Sequence, residues 1–109
     1  MIGEREAQRA QAIENLRRLK DDAAANVERA LDKMEQSKSL IDVAKQVVDL
    51  RAEAARIAGV QFARGVIVSS KKSEAAASLA KARADLVRAE LGYFQSQAEL
   101  QVLIERLPR

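Results

Sequence analysis

The sequence predicts an all-α fold, a long antiparallel helical hairpin of the coiled-coil type. Large apolar residues recur every seven positions in two separate stretches, and this is the spacing of a helix that packs lengthwise against another helix. The first series consists of Ile13, Val27, Met34, Ile41, Val48 and Phe62, with Lys20 and Ala55 at its remaining positions, and the second of Leu79, Leu86, Tyr93, Leu100 and Leu107. Folding the chain at residue 67 places Val48 opposite Leu86 and Ile41 opposite Tyr93. These facing residues form the predicted packing seam.

Both helices should be long and uninterrupted. The 109 residues form one domain at most, and the 21 alanines and 32% charged residues are typical of long helices. The only proline, Pro108, lies at the C-terminal edge of the sequence and interrupts nothing. We therefore expect helix one at about residues 4–62, a turn at about 63–69 and helix two at about 70–105.

The turn between the helices follows from its residue types. Gly65 should end helix one, because glycine adopts the left-handed backbone conformation without steric cost. Ser69 or Ser70 should then cap the N-terminus of helix two. Lys71 and Lys72 fall in the first turn of helix two, where the helix dipole disfavours positive charge.

Two further patterns on helix one indicate more than one neighbour. The positions three or four residues beyond the large apolar series are mostly small, and they are Leu16, Ala23, Ala30, Ser37, Ala44 and Ala58. A separate stripe, Leu19, Leu40, Val47 and Ala54, widens the apolar face. In the predicted register, helix two leaves residues 4–24 without a partner, although they carry Ile13, Leu16 and Leu19. We therefore expect the chain to form a homo-oligomer, at least a dimer.

The composition argues against several classes of function. Without Cys or His the chain lacks the usual zinc ligands and the commonest general base, so we expect no enzyme, no metal site and no cofactor. The net charge of +3 arises from 19 basic and 16 acidic residues that are intermixed, which does not favour nucleic-acid binding. No apolar run is long enough for a membrane helix and the N-terminus is not a signal peptide, so the chain alone should be soluble.

The turn and helix two carry a set of motifs in a fixed order. These are the aromatic-x-x-Gly-apolar sequence Phe62-Ala63-Arg64-Gly65-Val66, the acidic-Ala step Glu74-Ala75, and Leu86, Ala89 and Tyr93 in the pattern Leu-x-x-Ala-x-x-x-Tyr. In these motifs the sequence resembles the outer-membrane efflux protein family, the TolC-type ducts. The similarity covers about residues 10–105, and the spacing from Gly65 to Tyr93 holds without a gap.

This resemblance implies a role in transport. In that family, two such repeats from each of three protomers build a periplasmic α-barrel that hangs from a β-barrel in the outer membrane, and exported drugs or other compounds pass through it. The chain would be the periplasmic hairpin of the C-terminal repeat, and any membrane attachment would come from β-barrel segments outside this sequence. Its partner would be a periplasmic adaptor protein, docked at a tip formed by Arg64, Gly65, Val66, Lys71 and Lys72.

The sequence departs from the family at this tip and leaves other functions open. Lys71, Lys72 and Ser73 stand where the family usually has one acidic and two apolar residues, and Arg64 stands where an apolar residue is common. The main alternative is a free-standing soluble coiled-coil module that self-associates or binds a partner helix. A pair of amphipathic helices on a membrane surface is disfavoured by the narrow seam and the few aromatic residues.

Overall fold

The computed structural model describes residues 2–107 and confirms the all-α hairpin. Helix α1 spans Ile2–Ala63 (62 residues) and helix α2 spans Ser69–Glu105 (37 residues). No strand occurs between residues 2 and 107. The helix ends lie within two residues of the expected ones, which is the usual uncertainty of such boundaries.

The chain divides into two compact units, each of which contains one segment of α1 and one segment of α2. The first unit consists of residues 2–34 and 96–107. Its helices are joined by an ion pair in which Lys33 Nζ lies 3.0 Å from Glu99 Oε2. The second unit consists of residues 35–95, and in it Lys72 Nζ lies 4.8 Å from the centre of the Phe62 ring. Phe62 and Lys72 are equally distant in sequence from residue 67, so this contact agrees with the predicted register.

The small residues of the heptad pattern are the most buried ones. Among residues 2–107 the buried residues are Ala30, Ala58, Ala82 and Ser96, and the last two are each only 2% exposed. A short side chain is covered completely where two helices meet, because the neighbouring backbone and the adjacent large side chains reach over it. The most completely covered positions of both helices are therefore occupied by small residues.

The large seam residues are covered less completely. Six of them were predicted to form the seam, and all six are half-buried: Ile41, Val48, Leu79, Leu86, Tyr93 and Leu100. Of the other small positions on α1, Ala23, Ser37 and Ala44 are half-buried, whereas Leu16 is exposed. Two helices that touch along one line leave the outer part of a long side chain in water, and this explains the intermediate burial.

The end of α1 is a Schellman motif, as the position of glycine predicts. Gly65 has a φ of +72°, the left-handed region that glycine adopts without strain. Its N–H donates to the Phe62 carbonyl oxygen at 3.0 Å, and the Val66 N–H donates to the Gln61 carbonyl oxygen at 2.8 Å. These two bonds satisfy carbonyl groups that the end of a helix otherwise leaves without a partner.

The start of α2 differs from the prediction that Ser69 or Ser70 would be its N-cap. The helix begins at Ser69, and the first helical hydrogen bonds run to the Val68 carbonyl oxygen from the N–H groups of Lys71 (3.1 Å) and Lys72 (3.3 Å). Val68 is therefore the N-cap, although valine is a poor capping residue because its side chain accepts no hydrogen bond. The carbonyl group of Val68 therefore makes the first helical bonds, and both serines lie inside the first turn of α2.

Candidate functional site

The predicted docking tip lies at the connection between the two helices. Its five residues, Arg64, Gly65, Val66, Lys71 and Lys72, are all exposed. The Schellman motif reverses the backbone at Gly65, so that Val66 follows immediately and presents an apolar side chain that is 67% exposed. The two lysines then occupy the first turn of α2. The tip thus combines an apolar residue with three basic side chains.

Local contacts reduce the cost of placing positive charge at the N-terminus of α2. Lys71 Nζ lies 3.5 Å from Glu74 Oε2, one turn further along the helix. Lys72 lies over the Phe62 ring, a cation–π contact worth about 0.5–1 kcal/mol at an exposed site. No acidic residue occupies the first turn of α2. The positive charges of Lys71 and Lys72 are therefore stabilised by a single carboxylate and by an aromatic ring, respectively.

The predicted seam residues do not line the concave surface that lies beside them in the second unit. This surface is a depression of the second unit with a volume of about 210 Å³, lined by Val47, Arg51, Ser78, Lys81, Ala82 and Asp85. Its lining carries charged side chains of both signs and the Ser78 hydroxyl.

The charged side chains form local pairs along the helices. Arg56 donates to both carboxylate oxygens of Glu53, at 3.1 and 2.6 Å, and these hydrogen bonds lower the pKa of Glu53 and raise that of Arg56. A similar two-point contact of Arg17 with Glu14 raises the pKa of Arg17. These residues are exposed, and pairs three residues apart are common on helix surfaces. Between residues 2 and 107, no group of three or more acidic side chains is placed to hold a metal ion.

Two features of the structure were not recognised in the sequence. The contact between Phe62 and Lys72 was missed, although the mirror symmetry about residue 67 places them at the same level. The small residues of α2 were missed as well, although Ala75, Ala82, Ala89 and Ser96 recur every seven positions. The sequence contains the spacing that predicts both features. The most buried positions of α2 carry small residues, whereas the predicted seam consisted of large apolar ones.

Comparison with known proteins adds no relative. The chain matches no protein-family model, and no curated protein and no solved structure is significantly similar to it. Within residues 2–107, neither helix contains a stretch that is both apolar enough and long enough to cross a membrane.

Proposed function

We propose that this chain forms the periplasmic α-helical hairpin of an outer-membrane efflux duct and contributes to the tripartite export of drugs or other compounds. The hairpin is a structural component and carries no catalysis. The proposal rests on the residue motifs of the turn and of α2 and on the geometry of the turn.

The observation that carries the proposal is the backbone of the turn. The motif Phe62-x-x-Gly65-Val66, through which the sequence resembles the duct family, coincides with the Schellman motif at the end of α1. A hairpin that docks end-on requires a reproducible tip, and two hydrogen bonds with a left-handed glycine provide one. Val66 and the basic residues around it are exposed, as a docking surface requires.

The partner at the tip would be a periplasmic adaptor protein. Arg64, Lys71 and Lys72 make the tip basic, so the adaptor should present carboxylates or backbone carbonyl oxygens to it. Lys72 is already placed by the Phe62 ring, which lowers the entropy lost on binding.

Exchanging hairpins tests this proposal. Residues 3–107 would replace the C-terminal-repeat hairpin of an established efflux duct, and drug resistance and adaptor cross-linking would be measured in cells. We expect both to be retained. We also expect Lys71→Glu/Lys72→Glu to reduce both, whereas Lys71→Arg/Lys72→Arg, which keeps the charge, should not. A folded and exported chimaera without export activity would contradict the duct proposal, and unchanged cross-linking of the Glu variant would contradict docking at the tip.

The exposed apolar residues also favour the second candidate, a free-standing module that self-associates. Ile13, Leu19 and Leu40 are each more than 60% exposed, which is unusual for three large apolar residues on one helix. The chimaera experiment distinguishes the two candidate functions, because a module adapted only to self-association would not support export in a foreign duct.

A further inference from the structure

Residues 2–22 of α1 carry an apolar side that no other part of residues 2–107 covers. Ile13, Leu16 and Leu19 are each at least 50% exposed. Ile13 and Leu16 nevertheless continue the heptad positions that face α2 further along the helix. We name residues 2–22 the overhang. Its apolar side is the side of α1 that the seam uses, so the overhang is suited to pack against another helix.

The heptad series of the overhang contains two charged residues. Counting in sevens from Ile13, the series reaches Glu6 in one direction and Lys20 in the other. Both side chains are exposed, and neither is in an ion pair with another residue of the range 2–107. A charge at a seam position weakens helix pairing unless an opposite charge faces it. Such a charge therefore selects one register and one orientation of the partner helix.

The two charges match each other in an antiparallel pair of overhangs. If Ile13 of one copy lies opposite Ile13 of a second copy, Glu6 of each copy lies opposite Lys20 of the other, because both are seven residues from Ile13. The pair then has two opposite-charge contacts along its seam. The chain already uses this kind of alignment within its hairpin, where Phe62 contacts Lys72, a residue one heptad before the second apolar series.

Other alignments of two overhangs are less favourable. A parallel pair would bring Glu6 against Glu6 and Lys20 against Lys20 of the second copy. An antiparallel pair shifted by one heptad would place Ile13 opposite a charged residue, either Glu6 or Lys20. The charges of the overhang therefore favour the antiparallel alignment that is centred on Ile13.

The remaining seam positions of the overhang are also compatible with this alignment. Within the hairpin, Arg51 and Ala82 line one depression together, and they lie three residues after one seam residue and four residues before the seam residue opposite it. The equivalent residues of the overhang are Leu16, three after Ile13, and Arg9, four before Ile13. Leu16 of each copy would therefore lie beside Arg9 of the other. The methylene groups of an arginine can cover a leucine while its guanidinium group stays in water.

From these observations we infer that two copies of this chain bind each other through their overhangs, with the two overhangs antiparallel and Ile13 at the two-fold axis. The contact is isologous, since each copy contributes the same surface, and it is complete with two copies. This inference does not rest on the proposed role in efflux, and its tests measure association of the chain rather than export.

Charge exchange tests the contact. Glu6→Lys and Lys20→Glu each turn both opposite-charge contacts of the dimer into like-charge contacts. We therefore expect each variant to dimerise at least about tenfold more weakly than the wild type in sedimentation equilibrium from about 20 to about 500 µM. An equimolar mixture of the two variants should form a 1:1 dimer, because the introduced lysine of one faces the introduced glutamate of the other. The double exchange Glu6→Lys/Lys20→Glu restores both contacts and should dimerise as the wild type does.

Arg18→Glu is the matched control. It makes the same change of charge within the overhang, but Arg18 lies on the side of α1 that faces away from the seam positions. It should dimerise as the wild type does, and all variants should keep the wild-type helix content in circular dichroism, because the three side chains are exposed. A wild type that stays monomeric at the highest of these concentrations, a smaller loss in either single exchange, or a double exchange that does not recover would each overturn the inference.

Cysteine cross-linking tests the orientation. The chain contains no cysteine, so single introduced thiols are unambiguous. A tagged Glu6→Cys chain mixed with an untagged Lys20→Cys chain should form a mixed disulfide under mild oxidation, since the two positions face each other. Two Glu6→Cys chains should not link, because their thiols would lie two heptads, or about 21 Å, apart along the pair. Preferential linkage of two Glu6→Cys chains would indicate a parallel pair and would overturn the inference.

Discussion

Residues 2–22 and residues 23–34 of α1 continue a single heptad pattern within the first unit, but their side chains have different surroundings. Ile13 is 62% exposed and Leu16 is 50% exposed, whereas Val27 and Met34 are half-buried and Ala30 is buried. Leu16 and Ala30 occupy equivalent heptad positions. The difference is due to α2, which ends at Glu105, level with residue 29 in the mirror register, and therefore leaves residues 2–22 without a partner helix. A seven-residue pattern thus shows which side of a helix is suited to packing, and the partner decides where that side is buried.

The largest expected difference in the free energy of unfolding is between truncating a large side chain where α1 and α2 are in contact and truncating one in residues 2–22. Leu100→Ala, on α2 opposite the covered residues 23–34 of α1, should lower the free energy of unfolding by about 2 kcal/mol, since it removes half-buried apolar atoms and leaves a gap in the seam. Leu16→Ala should change it by less than about 0.5 kcal/mol. Urea denaturation at low protein concentration measures both. Equal losses would mean that residues 2–22 are covered in solution.

Enlarging a small residue should also affect residues 23–34 and residues 2–22 of α1 differently. Ala30→Leu should destabilise the hairpin by about 1–2 kcal/mol, because the added atoms have no room between α1 and α2. Ala12→Leu makes the same change at an exposed position of residues 2–22 and should be nearly neutral. Thermal unfolding followed by circular dichroism gives both values. A neutral Ala30→Leu would show that the helices separate easily at this layer.

The turn brings α2 alongside α1 and so allows residues 23–34 to be covered. Changing the turn should therefore have a smaller but measurable effect on the free energy of unfolding. Gly65→Ala should cost about 1 kcal/mol, because an alanine at a φ of +72° is strained although no atom lies within 4 Å of the added Cβ. Gly65→Asn should cost less, since asparagine tolerates this conformation. Both are measured by urea denaturation. Equal stability of the alanine variant and the wild type would mean that the turn rearranges.

The smallest effect concerns an ion pair that lies within one helix and owes nothing to α2. Hydrogen bonds from Arg56 hold the pKa of Glu53 below its ordinary value of 4.5. The folded chain therefore releases this proton more readily than the unfolded chain does. The stabilisation is present above about pH 4.5 and is lost as the pH falls through the lowered pKa of the folded state. Glu53→Gln should differ slightly from the wild type near pH 7 and match it at low pH, in helix content measured by circular dichroism. A difference that persists in acid would contradict this origin.

Much of the fold could be predicted from the sequence, because it depends on local preferences and on spacing. Gly65 marked the end of α1, and the seven-residue series marked both helices and their mirror register. The start of α2 was predicted less well. Capping preference favoured Ser69 or Ser70, whereas the first helical hydrogen bonds run to the Val68 carbonyl oxygen, so that Val68 is the N-cap.

At the candidate tip, too, the sequence predicted part of the arrangement and the structure supplied the rest. The sequence placed basic residues beside Gly65 and marked Lys71 and Lys72 as unfavourable for the helix dipole. The mirror register placed Lys72 at the level of Phe62, and the folded chain shows that the lysine lies over the ring.

By itself, the sequence determined that this chain is helical, where its turn lies and which residues align across it, since these follow from backbone preference and from the period of the helix. Only the tertiary structure decided the degree of burial. Ala82 and Ser96 are nearly inaccessible, whereas Ala75 and Ala89 at the same heptad position are half-buried, as are the large seam residues, so the seven-residue spacing alone does not fix how far a side chain is covered. The tertiary structure likewise decided that Leu40, Val47 and Leu50 of α1 are left uncovered, since a helix apolar on two sides buries only the side that its partner reaches.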